Sequence, residues 1–247
     1  MKAHAFSIEL QQAIEICSIH KTAKVKLGGH THCKQCSIDL VAKGQMEHEH
    51  AVNKMVRDKH FAGAQLPSRH AQSGFGNYMV QNNGQKNAKA QCLSCAKDFL
   101  NNTNRNLIMV GRTGTGKTHL SCAVALNVLK KRKYARYVTS EDMANEIANA
   151  WTKADDSEAN AIYRYTDLDL LILDEYGLHD RHENRLQLVH KVLYARYDEN
   201  KPTMLISNMT VKEIKTDLGD RLWSRFQHDG LVIVECNWQD QRVERVA

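Results

Sequence analysis

The residues with the clearest chemical role are 111–118, which read Gly-Arg-Thr-Gly-Thr-Gly-Lys-Thr. They fit the phosphate-binding pattern Gly-x4-Gly-Lys-[Ser/Thr], in which glycines let backbone N–H groups surround phosphate oxygens. Lys117 is expected to contact the β- and γ-phosphates of ATP, and the Thr118 hydroxyl to ligate Mg²⁺. The predicted nucleotide-binding residues of this loop are Gly111, Arg112, Thr113, Gly114, Thr115, Gly116, Lys117, Thr118 and His119.

A second set of reactive groups follows predicted strands. The apolar run Leu168–Leu173 ends in Asp174 and Glu175. We expect Asp174 to hold Mg²⁺ through water and Glu175 to polarise the water that attacks the γ-phosphate. Asn208 follows the predicted strand Thr203–Ser207 and can orient that water or sense the γ-phosphate; a turn-forming Asn is the alternative.

Three arginines are candidates for positive charge at the γ-phosphate. Arg221 and Arg225 are four residues apart and therefore project from one face of a helix. In oligomeric ATPases a neighbouring subunit often supplies such an arginine finger. The alternative is that both pair with local acids, and the residues leave the two interpretations open. Arg242 is a third candidate for nucleotide contact.

The N-terminal part carries a different chemistry. Two short chelating pairs, separated by a loop, suit tetrahedral sulfur and nitrogen coordination of a structural zinc ion. The predicted zinc ligands are Cys17, His20, Cys33 and Cys36. His30 and His32 compete with His20 for this role. The second Cys-x2-Cys pair, Cys92 and Cys95, has no partner pair nearby and is predicted to pack in a core.

These groups require an alternating β/α chain to position them. The predicted strands are 107–110, 135–139, 168–173, 203–207 and 231–235, and the predicted helices include 89–100, 120–129, 140–151 and 186–197. In parallel sheets of this kind, ligands bind at the carboxyl ends of the strands. The phosphate loop, Asp174 and Asn208 are therefore predicted to meet at one edge of a sheet.

Composition limits the remaining possibilities. The 247 residues carry a formal charge of +6, which is compatible with nucleic acid without demonstrating it. We expect no membrane span and no signal peptide. Seven cysteines beside a phosphate loop favour a reducing, cytoplasmic compartment. The expected organisation is a zinc-binding module in residues 1–44, a helix and linker in 45–73, and the nucleotide-binding domain in 74–247.

The order of motifs resembles one family. The motifs that carry the resemblance are Gly-Phe-Gly-Asn-Tyr at 74–78, the loop at 111–118, Leu-Asp-Leu-Leu-Ile-Leu-Asp-Glu-Tyr-Gly at 168–177, Ile-Ser-Asn at 206–208, Asp-Arg-Leu-Trp-Ser-Arg-Phe at 220–226 and Asn-Trp-Gln-Asp-Gln-Arg at 237–242. Over about residues 72–247 the chain looks like the DnaC-type replicative helicase loaders, whose AAA+ core the IstB-type transposition helper ATPases share. The resemblance implies an α/β AAA+ P-loop ATPase with a parallel five-stranded sheet of order 5-1-4-3-2, flanked by helices, plus the small zinc module.

The same resemblance implies a function. Such loaders use ATP to place a DnaB-like replicative helicase on single-stranded DNA, and their ATPase domains self-associate. By resemblance the sensor is Asn208, the arginine finger Arg225 with Arg221 beside it, and the sensor-like arginine Arg242. The zinc module is expected to bind the helicase, with DNA contact through its lysines as the rival. The alternatives are an IstB-type transposition helper and a non-hydrolysing adaptor; Glu175 argues against the adaptor.

Overall fold

The computed structural model describes residues 11–27, 29–178 and 183–241. The chain divides into two compact units, residues 1–56 and 57–247. The finer division into 1–44, 45–73 and 74–247 stays a prediction. Arg242, one of the expected nucleotide contacts, lies outside the described residues. Among the helices of the described ranges, none is both long enough and apolar enough to cross a membrane.

The first unit is built on a small antiparallel sheet that the sequence analysis did not predict. Its strands are β1 (Gln11–Ile16), β2 (Ala23–Leu27) and β3 (His30–His32), in the order β1-β2-β3. Helix α1 (Lys34–Gly63) begins directly after Cys33. The helix expected within residues 45–73 is part of α1, which begins earlier than that range, at Lys34.

The second unit contains a five-stranded parallel sheet. Its strands are β4 (Asn106–Gly111), β5 (Ala135–Thr139), β6 (Leu170–Asp174), β7 (Thr203–Ser207) and β8 (Leu231–Cys236). Their order is β5-β6-β7-β4-β8, and every adjacent pair is parallel. Numbered within this unit, that is the predicted order 5-1-4-3-2, which is confirmed. β4 and β6 consequently lie on either side of β7.

Helices cover both faces of this sheet, as the apolar strands require. They are α2 (Asn83–Leu100), α3 (Lys117–Lys130), α4 (Ser140–Ala150), α5 (Glu158–Thr166), α6 (Glu183–Asp198) and α7 (Val211–His228). All residues of β6 and β7 are buried, because helices on both faces exclude water from a parallel sheet. Two apolar clusters, one of which includes Leu171 and the other Leu107, form the core. The sequence analysis did not predict α5.

Helix α4 begins at Ser140, as predicted. Its N-cap is Thr139, whose hydroxyl accepts a hydrogen bond from the Asp142 N–H at 3.1 Å. Ser140 itself is fully buried. Because Thr139 is also the last residue of β5, the strand passes into the helix without a loop.

Candidate nucleotide-binding site

The phosphate loop lies between β4 and α3, and two of its glycines are required by their surroundings. Gly114 and Gly116 have φ angles of 75° and 87°, which residues with a side chain rarely adopt. A Cβ on Gly114 would lie 1.7 Å from Asp240 Oδ1, and one on Gly116 would lie 2.9 Å from the Tyr78 ring. The loop can therefore take this shape only with glycine at both positions.

Lys117 begins α3 and its ammonium group is directed into the loop. Its Nζ donates to Gly111 O at 2.6 Å, to Arg112 O at 2.8 Å and to Asn208 Oδ1 at 2.8 Å. Asn208 reaches Lys117 because it follows β7, the direct neighbour of β4. The structure thus brings together the expected phosphate-binding lysine and the expected sensor amide.

The groups that would hold Mg²⁺ lie beside this lysine. Thr118 Oγ1 donates to Asp174 Oδ2 at 3.1 Å, and the Tyr137 hydroxyl donates to the same oxygen at 2.6 Å. Asp174 is 5% exposed. Burial raises the pKa of Tyr137 well above its usual value, and the nearby Asp174 adds to this, so the phenol remains a donor. A hydroxyl and a carboxylate oxygen suit a magnesium ion.

Glu175 occupies an unusual backbone conformation. Its φ is 57°, in the left-handed region, and its N–H donates to Asp174 Oδ1 at 2.7 Å. Its side chain is exposed, in contrast to the buried Asp174. The two adjacent acids therefore occupy different environments, one beside the Thr118 hydroxyl and the other open to solvent.

A cavity of about 720 Å³ joins these groups. Residues 113–119, Asp174, Glu175 and Asn208 line one part of it, and residues from 69–79 line another. Its volume falls within the roughly 300–1,000 Å³ of small-molecule and cofactor sites. Residues 113–119 of the predicted phosphate loop and the expected catalytic acid Glu175 therefore share one cavity, which Gly111 and Arg112 do not line.

Several residues at this site had no role in the sequence analysis. Tyr78 and Trp238 both donate to Thr115 O, at 3.5 and 3.0 Å, from segments on the two sides of the phosphate loop. The Gln241 N–H donates to Gly114 O at 3.1 Å. The carbonyl oxygen of Gly74 lies 3.1 Å from Nε2 of His119, a predicted nucleotide-binding residue. In the sequence, these residues were marked only by the motifs at 74–78 and 237–242. The motifs carried the family resemblance but did not indicate that their residues contact the phosphate loop.

The two candidate arginine-finger residues lie on α7 after a kink at Gly219, whose φ is 70°. Arg225 donates to Asp198 Oδ1 at 3.0 Å, and its guanidinium lies 4.9 Å from the ring centroid of Tyr194 and 4.7 Å from that of Tyr197. Arg221 is exposed. Neither arginine lines the 720 Å³ cavity. A role for either one between subunits stays a prediction.

The N-terminal cluster has the geometry of a metal site. The ligand atoms of Cys17, His20, Cys33 and Cys36 all lie within 4.8 Å of one another. The Sγ atoms of Cys17 and Cys36 are 3.6 Å apart, and His20 Nδ1 is 3.3 Å from Cys36 Sγ. Bonds of about 2.0–2.3 Å to a tetrahedral zinc ion place its ligands roughly 3.3–3.8 Å apart. The four side chains therefore fit this ion.

The surroundings of the cluster also favour a metal. The backbone N–H of Cys36 lowers the pKa of Cys33 to about 6, which favours the thiolate form of Cys33, whereas the hydrogen bond with Cys17 raises the pKa of Cys36 to about 11. His20 Nε2 lies 3.1 Å from Asp39 Oδ2, and a carboxylate in that position orients a metal-bound imidazole. His30 and His32 are exposed and are not part of the group. As predicted, Cys92 and Cys95 are buried in an apolar cluster instead.

Together, the fold and the site define a class of protein. A parallel sheet of this strand order, with a phosphate loop after β4, an acidic pair after β6 and a polar residue after β7, is the AAA+ form of the P-loop ATPase fold. The family model described as IstB-like ATP binding protein matches residues 19–234. The chain therefore belongs to this family of ATP-binding proteins.

Relatives and solved structures agree with this assignment. The replicative helicase loader DnaC of Escherichia coli (strain K12) is 24% identical over 233 residues, 94% of each protein. The uncharacterized protein YdaV of the same strain is 29% identical over 173 residues, which cover 70% of this chain and 69% of YdaV. A crystal structure of the DnaC helicase loader has a TM-score of 0.60 at 18% identity, covering 68% of this chain and 99% of that one.

A structure of the replication initiator DnaA bound to AMPPCP and single-stranded DNA has the same fold. Its TM-score is 0.57 at 23% identity, and the match covers 69% of this chain and 51% of DnaA. At these identities the solved structures show the fold alone.

Proposed function

We propose that this protein is an ATP-dependent loader that places a DnaB-like replicative helicase on single-stranded DNA. The observation that carries the proposal is similarity to a DnaC loader over 94% of both chains, which extends beyond the ATPase core. The candidate site supports the use of ATP, because Lys117, Asp174, Glu175 and Asn208 line one cavity. ATP binding and hydrolysis there would switch the contacts with helicase and DNA.

The site supports hydrolysis as well as binding. Thr118 and Asp174 would hold Mg²⁺, which supplies charge neutralisation at the phosphates when bound. Lys117 would bind phosphate oxygens, while Glu175 would accept a proton from the attacking water and Asn208 would orient it. Positive charge from Arg221 or Arg225 of an adjacent copy would complete the site, so we propose self-association through the ATPase domain.

The helicase contact is assigned to the N-terminal unit. A groove of about 650 Å³ is lined by apolar side chains of β2 and α1, among them Leu27, Ile38 and Val41. Ile38 and Val41 are 49% and 60% exposed. Exposed apolar patches of this kind mark protein-binding surfaces. We propose that an apolar surface of the helicase covers this groove.

Co-purification with the helicase of the same organism tests the proposal. The wild type is expected to retain the helicase in the presence of ATP, and Lys117→Ala to lose the dependence on ATP. Ile38→Asp is expected to abolish the complex. Leu40→Asp is the matched control, because Leu40 is also exposed, at 72%, but projects from the opposite side of α1. Wild-type protein that binds no cognate helicase would contradict the loader assignment.

Single-stranded DNA is proposed to contact the region of α4 and α5. Trp151 and Tyr163 are 60% and 64% exposed there, and Lys153 lies between them in the sequence. The Trp151 indole N–H donates to Glu158 Oε2 at 3.0 Å, which holds the ring in place. Exposed aromatic rings beside basic side chains are the usual platform for stacked bases.

Removing both rings, in Trp151→Ala/Tyr163→Ala, is expected to weaken binding of single-stranded DNA. Each stacked base contributes about 1–3 kcal/mol, so the expected loss of affinity is roughly five- to 150-fold per ring. Fluorescence anisotropy with a labelled oligothymidylate measures it. Tyr134→Ala is the control, since Tyr134 is 49% exposed outside α4 and α5. Equal affinities of wild type and double variant would place the DNA elsewhere.

Zinc binding by the N-terminal cluster is also proposed, with a structural role. The four side chains would complete a tetrahedral site and leave no open position for catalysis. Zinc of this kind contributes about 10–16 kcal/mol of apparent binding free energy to small modules. None of the described side chains in the three strands is fully buried, whereas Cys17 and Cys33, which directly follow β1 and β3, are buried. The ion would therefore stabilise the fold of this unit.

We expect the purified protein to contain about one zinc ion per chain and Cys33→Ser to contain almost none. Atomic absorption measures the metal, and limited proteolysis of the N-terminal unit measures the loss of structure. Cys92→Ala is the matched control, because Cys92 is fully buried outside the cluster. Metal content unaffected by Cys33→Ser would contradict the site.

The second candidate function is that of an IstB-type transposition helper, which would act on double-stranded target DNA with a transposase. The match of residues 19–234 to the IstB-like family favours it. The two functions predict different partners. Retention of a transposase instead of the helicase, with preference for duplex over single-stranded DNA, would decide for this candidate.

A further inference from the structure

One buried hydroxyl links the two halves of the candidate catalytic site. Ser207, the last residue of β7, is 1% exposed. Its Oγ donates to Tyr176 O at 2.6 Å and accepts from the Met209 N–H at 3.0 Å. Tyr176 directly follows Glu175, and Met209 directly follows Asn208. A single side chain therefore joins the residue after the expected base to the residue after the expected sensor.

The contact fixes a backbone conformation that is otherwise unfavourable. A residue with a side chain, such as Glu175, meets steric conflict at a φ of 57°, so this conformation persists only where the surroundings impose it. The bonds between Tyr176 and β7 include those from the Tyr176 N–H to Ile206 O at 3.1 Å and from the Ser207 hydroxyl to the Tyr176 carbonyl. Removing the Ser207 hydroxyl would release the second of these.

Asn208, which precedes Met209, is bonded to the lysine that is expected to bind the phosphates. The Lys117 ammonium has three donors, and in this structure it donates to Gly111 O, Arg112 O and Asn208 Oδ1. A phosphate oxygen that accepts from Lys117 must replace one of these acceptors. The amide of Asn208 is the acceptor on a side chain, whereas the other two belong to the backbone of the loop. Phosphate binding would therefore release Asn208 first.

We propose that Ser207 is a positioning residue that couples Asn208 to Glu175, so that release of Asn208 from Lys117 sets the orientation of the Glu175 carboxylate. The inference rests on the proposed ATPase function and deepens it. Phosphate contact shifts Asn208, the Met209 N–H moves with it, and the shared hydroxyl carries that shift to the Tyr176 carbonyl. Glu175 then takes the position in which it accepts the proton of the attacking water.

The test is a set of variants assayed for steady-state ATP hydrolysis and for affinity to mant-ATP with Mg²⁺. Ser207→Ala is expected to lower kcat by about ten- to a hundredfold, the effect of misplacing a catalytic group, with almost unchanged mant-ATP affinity. Ser207→Thr restores the hydroxyl and is expected to recover kcat. Thr166→Ala is the matched control: it removes a buried hydroxyl bonded to Ile162 O, away from the site, and should leave kcat unchanged.

The coupling is tested by combining Ser207→Ala with Asn208→Ala. The double variant is expected to lose less than the product of the two single losses, because both interrupt one link. Multiplicative losses, wild-type kcat in Ser207→Ala, a parallel loss of mant-ATP affinity, or no recovery by threonine would each overturn the inference. Absence of hydrolysis by the wild type would instead overturn the ATPase assignment and the inference with it.

Discussion

Replacing Glu175 with glutamine is expected to lower ATP turnover by about 10²- to 10⁴-fold, the usual contribution of a general base. Glutamine has the shape of glutamate but cannot accept the proton of the attacking water. Binding of ATP should survive, because the phosphate contacts come from the loop and Lys117. Phosphate release measures turnover, and mant-ATP titration measures binding in the same samples.

The matched control for this variant is Glu199→Gln. Glu199 is an exposed carboxylate just after α6, and it does not line the 720 Å³ cavity. Its replacement changes the net charge by the same amount and should leave turnover as in the wild type. If Glu175→Gln also turned over ATP at the wild-type rate, the protein would use another base, and the adaptor that holds ATP without hydrolysing it would become the better account.

Much of this site could be predicted because its parts follow local rules. The phosphate loop is a continuous motif, and Asp174 and Asn208 each follow an apolar run that had to be a buried strand. Since parallel strands present their carboxyl ends at one edge, three distant segments could be assigned to one site without coordinates. The cluster of Cys17, His20, Cys33 and Cys36 could be predicted in the same way, because short chelating pairs fix their own geometry.

The remaining contacts depend on side chains that meet across the fold. Nothing near Tyr137 in the sequence indicates that its hydroxyl reaches Asp174, and Ser207 resembles any other small residue at a strand end. Local acids were considered as partners for Arg225, but its partner is Asp198, on another helix. The strands of the N-terminal sheet were missed because they are short. The alternation of apolar and polar residues in β2, Ala-Lys-Val-Lys-Leu, was the signal that could have predicted one of them.

Arg196 illustrates a residue whose importance only the structure reveals. It lies on α6 and is 1% exposed, although arginine is almost never fully buried without partners. Its guanidinium donates to Tyr165 O at 2.5 Å, to Leu168 O at 3.0 Å and to Pro202 O at 2.5 Å, and its Nε donates to Thr203 Oγ1 at 3.0 Å. One side chain thereby joins α6 to the segment before β6 and to the start of β7, the two strands that carry Asp174 and Asn208.

Arg196→Ala is expected to reduce the free energy of unfolding of the 57–247 unit by at least about 3–5 kcal/mol, as for other broken buried polar networks. The reason is that several buried carbonyls would lose their donor at about 1–3 kcal/mol each, and a cavity would replace the side chain. A domain stable by roughly 5–15 kcal/mol would lose much of its margin. Because Trp151, Trp223 and Trp238 all lie in this unit, tryptophan fluorescence in urea follows its unfolding.

Two further variants distinguish the loss of the Arg196 hydrogen bonds from the general effect of removing an arginine side chain. Arg105→Ala removes a 41%-exposed side chain paired with Asp98 at 3.3 Å, and should cost less than about 1 kcal/mol, as exposed ion pairs do. Arg196→Lys keeps the charge but has a single side-chain nitrogen, which cannot reach both the carbonyls before β6 and that of Pro202. It should therefore recover only part of the lost free energy of unfolding. A urea midpoint of Arg196→Ala equal to that of Arg105→Ala would show that these carbonyls find other donors.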